Sequence, residues 1–164
     1  MTSRRRAALA ACGIAGLAAV AAIARIAAAS ECGLISDSDK RHMCYALANK
    51  SAGECGLIGD SDLRHLCYAK VNRSSSECGL IGNADLRHQC YAETSGSSGE
   101  CGLIADSDRR HFCYAKAQKR TSECGLIGNA DLRHLCYATV GKSPGECGLI
   151  ADADLRQRCY AAAK

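Results

Sequence analysis

The sequence contains no tryptophan and a single phenylalanine, Phe112, and aromatic residues make up 4% of its 164 positions. It therefore lacks the large side chains that dominate an ordinary core. The signatures of catalysis are missing as well. There is no glycine-rich loop to cradle phosphate, no nucleophile elbow and no zinc-protease helix. With the equivalence of the repeated units described below, these absences argue against an enzyme with one specialised active site.

A surplus of charge is also missing once the first residues are set apart. Arg4, Arg5 and Arg6 precede an apolar stretch from Ala7 to Ala24, and Ala27-Ala28-Ala29 closes it with small side chains. A basic start, an apolar middle and a small-residue end are the parts of a secretory signal peptide, so residues 1–29 are expected to be cleaved off. A membrane anchor is the competing reading. Against it, the run is mostly Ala and Gly, and Arg25 interrupts it. Ser3-Arg4-Arg5 permits twin-arginine export as well as the general route. Leu9-Ala10-Ala11-Cys12 looks like a lipoprotein cleavage box, but it follows Arg6 too closely, and Cys12 is expected to leave with the signal. Four of the 21 Lys and Arg (Arg4, Arg5, Arg6, Arg25) and none of the 17 Asp and Glu lie in residues 1–29, which leaves 17 of each sign. A balanced chain gives no electrostatic footprint for nucleic acid or an anionic membrane. No stable membrane anchor is expected after cleavage.

Cysteine is what the chain has in abundance. Twelve of its 13 cysteines lie beyond residue 29. An even count in an exported chain with little to bury reads as a disulfide framework in the periplasm or outside the cell.

Self-comparison gives the organisation of residues 30–164. Glu-Cys-Gly-Leu-Ile begins at Glu31, Glu54, Glu77, Glu100, Glu123 and Glu146, always 23 apart. Each copy continues with a small residue, Asp or Asn, Ser or Ala, an invariant Asp, a variable residue, an invariant Arg, His or Gln, a second variable residue, and Cys-Tyr-Ala. A fixed period of this size marks stacked units that bury their faces against one another. A second period overlies the first: the residue before each Glu alternates as Ser30, Gly53, Ser76, Gly99, Ser122 and Gly145. Lys70 and Lys116 lead the connectors after repeats two and four. Three 46-residue pairs describe the array better than six equal units.

Local signals predict a helical hairpin in each repeat. Asp37, Asp60, Asn83, Asp106, Asn129 and Asp152 are N-cap residues. The invariant Asp two positions later suits the first turn of a helix, where the dipole favours a carboxylate. A helix of about ten to twelve residues follows; in repeat two its apolar face is Leu63, Leu66, Cys67 and Val71. The Ser or Gly before Glu-Cys-Gly-Leu-Ile is read as the cap of a shorter turn. The fold expected is all-α, with six disulfide-stapled hairpins in a short solenoid or a beads-on-a-string array.

The two cysteines of a repeat are Cys32 and Cys44, Cys55 and Cys67, Cys78 and Cys90, Cys101 and Cys113, Cys124 and Cys136, or Cys147 and Cys159. They lie twelve apart, and the gap to the next repeat is eleven. Loop entropy cannot choose between the two closures, since either is worth roughly 3 kcal/mol. A bridge needs fixed separation and direction. The residues inside a repeat barely change among copies, whereas the connectors vary, and this favours pairing within repeats.

Two readings of the remaining side chains compete. Five His-x-Cys steps, from His42 and Cys44 to His134 and Cys136, could suggest zinc or copper sites or a redox-buffering thiol array. Residues i and i+2 point about 200° apart on a helix and cannot grip one ion. Cys-x-x-Cys is absent, and repeat six keeps both cysteines while carrying Gln157 in place of His. No metal or other cofactor is expected. The second reading concerns the outer helix face, where Asp60, Arg64 and Tyr68 fall at i, i+4, i+8 with Asp62 and His65 beside them. Arg41, Tyr45, Arg64, Tyr68, Arg87, Tyr91, Arg110, Tyr114, Arg133 and Tyr137 are thus candidate binding residues on a multivalent surface. The partner would be a protein or an envelope or extracellular polymer. The competing reading has Asp–Arg pairs supporting the helix and Tyr packing between units. Finally, the residue before the second Cys is apolar in Met43, Leu66, Phe112 and Leu135 but is Gln89 and Arg158 elsewhere. A polar last unit suggests an end cap.

Overall fold

The computed structural model describes residues 30–163. The expected signal peptide, with Cys12, lies outside the described residues. Each repeat contributes one helix: α1 (Ser38–Asn49), α2 (Ser61–Asn72), α3 (Ala84–Ser95), α4 (Ser107–Gln118), α5 (Ala130–Val140) and α6 (Ala153–Ala162). Repeats two to six each begin with a 3₁₀ turn: Glu54–Leu57, Ser75–Leu80, Ser98–Leu103, Thr121–Leu126 and Pro144–Leu149. No strand occurs among the described residues.

The helix starts follow from the caps. The side chain of Asp37, Asp60, Asn83, Asp106, Asn129 or Asp152 accepts the backbone N–H three residues on, in extended backbone just ahead of the helix. Helices α1 to α4 stop where the next residue turns left-handed, at Lys50, Arg73, Gly96 and Lys119. Only Gly96 adopts this conformation without a Cβ penalty. The Ser/Gly alternation falls elsewhere than expected. Ser76, Gly99, Ser122 and Gly145 lie inside their 3₁₀ turns, because the connector residue before each already enters the turn; only Gly53 sits at the cap.

Six disulfides close within repeats, as the unvarying residues between the paired cysteines favour. They are Cys32–Cys44, Cys55–Cys67, Cys78–Cys90, Cys101–Cys113, Cys124–Cys136 and Cys147–Cys159, with Cα–Cα separations of 5.5 to 5.6 Å. The core is correspondingly spare. Its largest fully buried side chains are six isoleucines, Ile35, Ile58, Ile81, Ile104, Ile127 and Ile150, each 1% exposed. Around them lie the bridges and the Ala of each Tyr-Ala step. Ala92, for example, packs on Cys101, Ile104 and Cys113 of the following repeat. In the same way Ala115 joins the cluster of Cys124, Ile127 and Cys136. An isoleucine contributes about 1.5–3 kcal/mol on burial, so one per repeat leaves cohesion to the covalent staples.

The array closes on itself. The invariant Asp of each helix start reaches into the next repeat and accepts two successive backbone N–H groups. Asp39 takes those of Gly59 and Asp60, both at 2.9 Å. Asp62, Asp85, Asp108 and Asp131 repeat the contact one step on. Asp154 of repeat six makes the same pair of bonds to Ser36 and Asp37 of repeat one, at 2.8 and 3.1 Å. Helix α6 packs against α1, and Ala161 covers the cluster of Cys32, Ile35 and Cys44. The six hairpins therefore form a ring. Repeat six is no end cap: its polar substitutions face repeat one and the middle of the ring, not a free end.

Candidate functional site

The outer stripe resolves into structural contacts. In repeat two, Asp60 caps α2 and does not pair with Arg64. The Arg64 guanidinium donates back to the carbonyls of Ile58 and Gly59, at 2.8 and 3.3 Å, tying the helix to the turn before it. Arg41, Arg87, Arg110 and Arg133 do the same in their repeats. The Tyr side chain reaches back within its own repeat, while its ring also packs on clusters that span two repeats. Its hydroxyl lies over the Gly of Cys-Gly, so that a methyl group at Gly102 would sit 3.1 Å from the Tyr114 hydroxyl. Tyr45, Tyr68, Tyr91 and Tyr137 lie over Gly33, Gly56, Gly79 and Gly125 in the same way.

The histidines serve the joints between repeats. His42, His65, His88, His111 and His134 each place Nδ1 2.7 to 2.9 Å from the carboxylate of the Glu that opens the following repeat. The twelve sulfurs that a metal-thiolate array would use are bonded in pairs; Cys136, two residues from His134, is tied to Cys124. The joint carboxylates Asp39, Asp62, Asp85, Asp108, Asp131 and Asp154 are held below the usual carboxylate value, chiefly by the two backbone N–H donors of the neighbouring repeat.

Two arrangements are left with no evident structural duty. The first is the middle of the ring, where a cavity of about 390 Å³ is lined by residues of all six long helices. Met43, Gln89, Phe112, Leu135 and Arg158, all from the position before the second Cys, meet there. A second tier lies one helical turn on. Its polar part is a triad in which Glu93 receives Lys70 at 2.7 Å and Lys116 at 2.8 Å. Gln89 also donates to Glu93, and the Lys116 ammonium stands 5.6 Å from the centre of the Phe112 ring. Burial pushes the Lys70 ammonium below its ordinary value, with Glu93 acting against it. Lys70 and Lys116, which by sequence lead connectors, lie inside α2 and α4, because each helix runs on past its Tyr-Ala step, and they grip one carboxylate on the intervening α3. Leu47 and Ala162 hold the opposite side of this tier.

Compared with known proteins, the chain matches no family model, no curated protein and no solved structure. Function is therefore argued from the geometry.

The second arrangement lies on the surface. The Leu of every Glu-Cys-Gly-Leu-Ile is exposed: Leu34 by 64%, Leu57 by 62%, and Leu80, Leu103, Leu126 and Leu149 by 61%. Sequence reasoning does not single out these residues. A signal is available, since Leu sits beside Ile in an extended-to-helical corner that can bury only one of the two. No helix among the described residues is long and apolar enough to cross a membrane. Six intramolecular bridges mark a disulfide-stabilised protein of the kind made for oxidising, exported surroundings.

Proposed function

We propose that this protein is an exported, non-enzymatic scaffold, periplasmic or extracellular, whose ring offers one apolar contact six times to a repetitive partner, a protein or an envelope polymer. The observation that carries the reading is the exposed leucine in each of six otherwise fully employed repeats. The Asp, Arg, His, Tyr and Ile that recur with it all have partners inside the ring. The leucine has none, although it recurs as faithfully.

The candidate Arg and Tyr residues support this contact by fixing the turn that carries it. Arg64 holds the Ile58 carbonyl on one side of Leu57, and Tyr68 packs on Gly56 on the other. A single leucine buried against a partner supplies about 1.5–3 kcal/mol, too little for stable binding. Six on one rigid frame act in concert, and their combined strength exceeds any one by orders of magnitude.

The test is a series with Leu→Ser at one, three and six of these positions, each compared with the parent for retention on purified envelope and extracellular-matrix polymers. Avidity predicts a slight loss for the first substitution and a loss of about 100-fold or more by the third. Undiminished retention of the six-fold variant would sink the reading. Turnover of any bound polymer by the parent ring would remove its non-enzymatic part.

A further inference from the structure

We propose that the middle of the ring is a binding site for a small organic anion with an apolar body, of the class of a medium-chain carboxylate. The site is distinct from the outer leucines and does not depend on them.

The charges are unbalanced. Lys70 and Lys116 share the single carboxylate of Glu93. Arg158, from the sixth repeat, adds a further cation to the cavity lining. Among the described residues its guanidinium makes no hydrogen bond or ion pair, whereas the neighbouring Arg156 is engaged with the Ile150 carbonyl. Burial works against the charge of Arg158, and the carboxylates of Asp152, Asp37 and Asp154 offset this only from a distance. A half-buried guanidinium that lines a cavity and spends none of its five donors on the protein is free to give them to an acceptor on a ligand. Equivalent positions in other repeats carry Leu66 and Leu135, so the scaffold does not require Arg there.

The rest of the lining selects the other end of the ligand. Met43, Leu47, Phe112, Leu135 and Leu155 give the cavity apolar lining beside and between the cations. Its volume, about 390 Å³, lies within the range of small-molecule sites, roughly 300–1,000 Å³. A carboxylate can take a bidentate pair of bonds from Arg158 while its alkyl or aryl body covers the leucines. An inorganic anion would satisfy the guanidinium but leave the apolar lining wet.

Calorimetry on the oxidised ring, its six bridges checked by intact mass, tests this with octanoate, 1-octanol and inorganic phosphate as probes. Octanoate is expected to bind at one per ring. 1-Octanol should bind at least about tenfold more weakly, as follows from loss of a charge-assisted bond. Phosphate should not displace octanoate. Arg158→Leu, which copies repeats two and five and so keeps the fold, should weaken octanoate at least about tenfold, and Arg158→Lys should retain most of the affinity. Failure of octanoate to bind, equal binding of 1-octanol, or unchanged binding by Arg158→Leu would each overturn the proposal. Displacement by phosphate would overturn the assignment of an apolar body.

Discussion

The ring has two kinds of joint, and their difference shows what closure costs. Five joints connect repeats that are consecutive in the chain. Each has a covalent connector, an Asp bonded to two backbone N–H groups, a His–Glu contact and a buried Ala under the next bridge. The sixth joint, from repeat six to repeat one, keeps the Asp contact through Asp154. It has no connector, carries Gln157 where the others have His, and leaves Ala161 half-buried. The amide oxygen of Gln157 is buried without a hydrogen-bond partner. The contacts described across this joint are thus the two bonds of one carboxylate and one patch of packing, with no chain connector, and the ring should open there before anywhere else.

The largest expected effect comes from the staples. Replacing Cys147 and Cys159 by Ser should cost about 3 kcal/mol of stability in chemical denaturation, as should replacing Cys78 and Cys90. Only the first change should also expose Ser36 and Asp37 to amide exchange, because repeat six supplies the closing carboxylate. Equal exchange in both variants would mean that the sixth joint is not special.

Next in size is Asp154→Ala against Asp85→Ala. Both remove two charge-assisted bonds. The first should raise the radius of gyration in solution scattering, since nothing covalent spans that joint, and the second should leave it unchanged. Acid should act on the same contact. The ordinary aspartate value is 3.8, and each joint carboxylate lies below it in the folded ring. The unfolded chain therefore binds more protons in this range. The stabilisation is complete above pH 3.8 and is lost as pH falls from there through the depressed folded values. Thermal midpoints of the parent should drop across this window, with the radius of gyration rising before helicity falls.

Smaller effects sharpen the contrast between copies of one corner. Gly96→Ala should cost about 1 kcal/mol, because φ there is +72°. Lys50→Gly, at φ 53°, should gain a comparable or slightly smaller amount. The smallest is Gln157→His, which makes the sixth joint resemble the others. It should raise stability by a few tenths of a kcal/mol, as a partly exposed pair does. No gain in thermal midpoint would mean that the replaced histidine is not what sets this joint apart.

Much of the hairpin is legible in the sequence because its causes are local. Asp60 caps the adjoining helix through a backbone N–H three residues away, and an unvarying twelve-residue segment sets Cys55 against Cys67 and Cys124 against Cys136. The joints are harder to read. By position Asp62 is a helix-dipole residue, but its carboxylate spends its lone pairs 20 and 21 residues downstream. His65, two residues from a cysteine, invites a metal reading, yet its partner is Glu77 in the next repeat. Ring closure is invisible for a plainer reason. It rests on a contact 118 residues apart between segments that resemble every other copy, so no local pattern distinguishes a ring from a rod. Arg158 misleads for the same reason: it reads as a polar end, and only closure makes it a group facing inward.

Closure also sets a counting rule. In an open stack a duplicated unit adds length and little else. In a ring each repeat must turn the chain by the same fraction of a circle, and the last must meet the first with its carboxylate in register. A seventh hairpin would not extend this molecule; it would leave Asp154 facing the newcomer and put the burden of closure on an unfitted copy. Unequal recombination between such similar segments, ordinarily a source of length variants, would here be filtered by geometry.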